Sequence, residues 1–86
     1  MIDNAELLQV FEGAFKPLRC VATLSDYDRF VGLRVEQPGG GKAWKREGYR
    51  VFELANNPHA LDSTIRSLRR LIEESGISLD PWSLQV

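Results

Sequence analysis

Cysteine occurs once, at Cys20, and histidine once, at His59. A single cysteine cannot close an intrachain disulfide, and one of each cannot assemble the usual Cys/His zinc set within one chain. Inside the apolar run LRCVATL, Cys20 reads as a small buried hydrophobe rather than a reactive thiol. No apolar stretch approaches the roughly 20 residues of a membrane span, and the opening Met-Ile-Asp-Asn-Ala-Glu lacks the basic start and apolar core of a secretory signal. These absences predict a cytoplasmic protein with no membrane partner. Nor is there an excess of charge of one sign. The net charge of −1 exerts no global pull toward nucleic acid, so any electrostatic recognition has to be local.

What is present is enough for one small core. Eighty-six residues with 43% hydrophobic and 27% charged content fit a single soluble globular domain over 1–86. The first segment, IDNAELLQVFEGAFKPL, opens with Asp3 as an N-cap, Glu6 as its capping-box partner, and Ile2 and Leu7 as a hydrophobic staple. Leu7, Leu8, Phe11, Ala14 and Phe15 then recur at helical spacing. Pro17 disfavours helical geometry at Lys16, which predicts a helix over 1–16.

Residues 18–54 alternate in the manner of three strands. LRCVATL and RFVGLRVEQ are joined by the turn residues SDYD, and PGGGK leads into AWKREGYRVFEL. Gly48 interrupts the last alternation and marks a candidate bulge. Asn57 as N-cap, Pro58 at the first helical position, and the stripe Leu61, Ile65, Leu68 and Ile72 predict a second helix over 57–75, ended by Gly76. The tail 77–86 is too apolar to hang free. The expectation is a two-layer α+β fold of order α-β-β-β-α. It has a three-stranded antiparallel meander, both helices on one face, and a short docked C-terminal tail.

The chemistry-bearing candidates are few. The stretch EQPGGGKAWKREGYR is not a P-loop: Glu36 stands where the first glycine is required, Ala43 follows Lys42 in place of Ser or Thr, and a strand rather than a helix comes next. Its glycines suit a hairpin loop instead, and no cofactor is expected. His59 lies beside Pro58 with no nucleophile and orienting carboxylate assembled around it, so no catalytic or metal residue is assigned. On the second helix, Asp62–Arg66, Arg69–Glu73 and Arg70–Glu74 stand four apart and read as a solvated face of mutually paired charges.

Two surfaces remain. With both helices on one sheet face, the other is expected to carry Val21, Phe30 and Arg34, with Trp44 or Tyr49 according to the bulge. Trp82 of the tail is the candidate to cover it. An apolar face of that kind asks for a partner, either a second copy in a face-to-face homodimer or another protein. One alternative is a nucleic-acid interface using Lys42, Lys45, Arg46 and Arg50, with Trp44 or Tyr49 as stacking surfaces; a weaker one is a small enzyme assembled only in an oligomer, with His59 at a subunit seam.

In topology alone the helix–three strands–helix order resembles the double-stranded RNA-binding domain. That family places lysines at the start of its last helix to straddle phosphates, where this chain has NPHALDST, so the family's function does not carry over. The pattern LLQVFEGAFKPLRC…LRRLIEESG resembles short bacterial domains of unknown function. That resemblance implies a small bacterial cytosolic protein and brings no activity.

Overall fold

The computed structural model describes residues 2–84; Met1, Gln85 and Val86, at the ends of the expected first helix and tail, lie outside the described residues. The elements are α1 (Asn4–Gly13), β1 (Arg19–Ser25), β2 (Phe30–Glu36), β3 (Ala43–Arg50), α2 (Val51–Asn56) and α3 (Pro58–Glu74). The three strands form one antiparallel sheet of order β1-β2-β3, so the α+β class and the α-β-β-β-α order hold.

The helix starts follow the capping chemistry. Asp3 Oδ1 accepts a hydrogen bond from the Glu6 N–H at 2.8 Å, and Asn57 Oδ1 accepts one from the Ala60 N–H at 3.1 Å. At the far end of α3, Gly76 takes φ +96° and its N–H donates to the Glu73 carbonyl. The first helix is shorter than its apolar periodicity predicts. Gly13 weakens its last turn, and the Ala14 N–H donates to Phe11, three residues back rather than four. Ala14 and Phe15 still enter the core, carried there by the turn that leads into β1.

A second difference lies after β3. The expected strand over 43–54 stops at Arg50, and Val51–Asn56 form the short helix α2. Val51, Leu54 and Ala55, at i, i+3 and i+4, are buried together, whereas strand geometry would have sent neighbours among them to opposite faces. The gain in buried surface outweighs the β-propensity of VFEL.

The core lies between the helices and one sheet face. Leu7, Phe11 and Phe15 meet Val31, Leu33 and Val35 from the sheet and Leu61, Ile65 and Ile72 from α3. The tail docks on the same side. Ile77, Leu79, Trp82 and Leu84 pack on the core, and the Asp80 N–H donates to the Lys16 carbonyl at 2.8 Å. Arg69, expected on a solvated face with Glu73, is instead buried. Its guanidinium donates to the carbonyls of Ala14 and, at 2.6 Å, Asp80, and so fastens α1, α3 and the tail together. Of the three i,i+4 pairs expected on this helix, only Asp62–Arg66 forms among the described residues, at 2.9 Å.

Candidate interaction surface

The sheet face opposite the helices is open, and its composition follows from register. Val21 pairs with Arg34, which pairs with Lys45; Ser25 pairs with Phe30, which pairs with Arg50. Cross-strand partners share a face, so these rows of side chains lie together. Between them Thr23 stands opposite Gly32, and beyond Gly32 the ladder breaks. Val31 pairs with Tyr49 but Leu33 with Arg46, leaving Glu47 and Gly48 opposite a single residue. This is the bulge foreshadowed by Gly48, whose φ of +82° favours glycine.

The bulge decides where the aromatics go. Trp44 pairs with buried Val35 and Tyr49 with buried Val31, so both lie on the helix side and pack on the core. Neither belongs to the open face, contrary to the expectation that one of them would. Without the extra residue, alternation would have sent them to opposite faces. Burial raises the Tyr49 phenol above its ordinary value, with the nearby Arg46 guanidinium working in the opposite direction.

Trp82 does not cover the open face either. Its ring lies under two guanidinium groups of α3, with Arg66 at 5.6 Å and Arg69 at 6.0 Å from the centroid. Of the expected interaction residues, the open face keeps Val21, Phe30 and Arg34. Its charges are already matched in part: Arg34 Nε lies 2.8 Å from Glu36 Oε1, and Lys45 Nζ 3.3 Å from Glu47 Oε1. The four basic candidates are dispersed. Lys42 sits in the hairpin loop, where its N–H donates to Gln37 Oε1. Lys45 and Arg50 share the open face, and Arg46 lies on the opposite one, its Nη1 donating to the Lys45 carbonyl. No single phosphate-tracking stripe results. His59 is exposed at the start of α3.

At one end of the sheet the surface changes character. The start of α1, the β1–β2 turn and α2 enclose a cleft of about 850 Å³. Ile2, Ala5 and Ala55 contribute apolar wall, and Phe30 belongs both to this wall and to the shallow trough of the open face. Two backbone bonds hold α2 in place. The Val51 N–H donates to the Arg29 carbonyl at 2.9 Å, and the Ile2 N–H to the Ala55 carbonyl at 3.2 Å. Pinned in this way, α2 buries Val51, Leu54 and Ala55 and turns Phe52 outward, 79% exposed at the cleft. Arg29, Arg50 and Asp28 also line the cleft, and neither guanidinium has an ion-pair partner among the described residues.

The turn feeding this cleft is strained. Asp26, Tyr27 and Asp28 have φ of 52°, 55° and 64°, three successive non-glycine residues in the left-handed region, and Tyr27 is 95% exposed at the tip. Reasoning from sequence missed Phe52, Arg29 and Tyr27. The one available signal was the V-x-x-L-A spacing of Val51, Leu54 and Ala55, which is helical and leaves Phe52 off the buried stripe.

No protein-family model matches the chain, and no curated protein or solved structure matches it. Among the described residues no helix is long and apolar enough to cross a membrane, and no group of three metal-ligating side chains comes together.

Proposed function

We propose that the protein is a small non-enzymatic interaction module that binds a segment of a partner protein in the cleft between α1, the β1–β2 turn and α2. The observation that carries this reading is Phe52, an aromatic side chain 79% exposed beside Phe30 on the wall of an 850 Å³ cleft. A large apolar side chain held out in water by a well-anchored element gains most when a partner covers it, and aromatic anchors in pockets dominate protein interfaces. Arg29, Arg50 and Asp28 supply charges of both signs around the apolar floor, which suits a segment whose apolar side chain is flanked by polar groups and fixes its orientation.

The test is site-specific photo-crosslinking in the cells that express the protein. A photoreactive residue at position 52 captures one defined partner, and the charge reversals Arg29→Glu and Arg50→Glu together remove that product. The same probe at Ser63, exposed on α3, does not capture it. Capture at 52 that is indifferent to both charge reversals would refute the assignment. Replacing Phe52 by Asp should abolish the interaction yet leave stability within about 0.5 kcal/mol, because the side chain is already in water.

A further inference from the structure

The two edges of the sheet are built differently. β3 carries Lys45, Arg46, Glu47 and Arg50 and the bulge at Glu47–Gly48, features that discourage another strand from adding. β1 lacks the bulge and all but one of the charges. From Arg19 to Ser25 it holds one charge, at its first residue, with no proline, glycine or bulge, and all seven residues run in unbroken register with β2. Among the described residues no element bonds its outer side. Alternate backbone N–H and C=O groups along β1 therefore make no backbone hydrogen bond among the described residues, and can serve as a template for strand addition. Its helix-side residues are covered unevenly: Cys20 is buried, while Ala22 and Leu24 are only partly so.

We propose that a second copy of the chain pairs antiparallel along this edge, about a two-fold axis through Ala22. Only that register pairs all seven residues of both strands. It sets Ala22 against its own copy, Cys20 against Leu24, Val21 against Thr23 and Arg19 against Ser25. Each pairing is compatible. The helix side brings Cys20, Ala22 and Leu24 against the same three, and the open side pairs two β-branched residues. The two Arg19 side chains stand at opposite ends of the ladder, roughly 20 Å apart at about 3.3 Å per residue, so no like charges meet. Such self-complementarity is what an isologous interface requires, and it is why the occupant is a second copy rather than an unrelated strand.

The product is a six-stranded sheet with every helix on one side, the two open faces joined into one platform, and the charged β3 edges closing both ends. None of the β1 residues lines the cleft, so this inference and the partner-binding reading stand or fall separately.

Sedimentation at about 5 and 500 µM, with amide exchange at both concentrations, tests it on the wild-type chain. The mass should double from 9.7 kDa, and alternate amides within Arg19–Ser25 should exchange roughly tenfold or more slowly at the higher concentration. Two single variants separate the alternatives. Ala22→Lys sets like charges opposite each other at the axis and should give a monomer. Val21→Lys meets Thr23 and should remain dimeric, whereas it would disrupt a face-to-face pair. A monomer at both concentrations, or a dimer whose β1 amides gain no protection, overturns the proposal. Should Ala22→Lys fail to fold, the wild-type exchange pattern still decides.

Discussion

Cys20 is 6% exposed on the helix side of β1, opposite Val35. Burial, with a smaller contribution from the Glu12 carboxylate, pushes its thiol up to about 12 from an ordinary 9.0. The fold therefore favours the neutral thiol, and the sign of the linkage follows. This contribution is whole below about pH 9 and is lost as pH rises from there toward 12. Tyr49, likewise raised by burial from 10.0, adds to the loss at higher pH. Urea midpoints measured from pH 7 upward should fall beyond about pH 9 in the native chain. In Cys20→Ala, itself destabilised by roughly 1 kcal/mol through the small void it leaves, the onset of that fall should be delayed. An equally steep fall from pH 9 in the variant would show that another group is responsible. At pH 8 the native thiol should resist a disulfide reagent until the protein unfolds, because the thiolate is the reacting form.

The β1–β2 turn shows how an element can hold conformations its residues disfavour. Tyr27 makes no burial gain at 95% exposure, yet it occupies the left-handed region between two aspartates that do the same. Placing a non-glycine residue there costs about 1–2 kcal/mol, and glycine's greater freedom in the unfolded chain returns about 0.5–1 of that. Tyr27→Gly should therefore stabilise the protein by about 0.5–1 kcal/mol in urea unfolding. A loss of stability would show that the tyrosine ring contributes to the native turn. The strain persists because the pairing Ser25–Phe30 and the Val51 N–H bond to Arg29 tie down both sides of the turn. Those ties also aim Arg29 and Phe30 at the cleft, which links turn geometry to the proposed partner site.

Across the molecule, Arg69 joins parts that are distant in sequence: it spans 55 residues to the Ala14 carbonyl and 11 to that of Asp80. Its loss strands two carbonyls and removes one of the two cations over Trp82. Arg69→Leu keeps the apolar stem and should cost about 2 kcal/mol, chiefly by leaving the acceptor of buried Ala14 unpaired. If the tail is held this way, Trp82 should become more exposed and its fluorescence shift to the red before global unfolding. A variant that unfolds in one step with Trp82 still shielded would show that the apolar contacts of Ile77 and Leu79 suffice.

The local signals in the sequence carried a great deal. Asp3 and Asn57 cap the helices they were expected to cap, alternation located the first two strands and most of the third, and Gly48 marked the bulge. Each of these depends on residues within a turn or two of one another, so the chain alone is sufficient to specify them. Tertiary contacts decided the rest. Val51–Asn56 became helical because the core could take Val51, Leu54 and Ala55 on one side. One extra residue in β3 turned Tyr49 to the same side of the sheet as Trp44, and a buried arginine drew Trp82 to the helices instead of the open sheet. The cleft was illegible for the same reason. Its walls come from the chain start, a turn and α2, segments that local periodicity treats as unrelated and only the packed core brings within reach of one ligand.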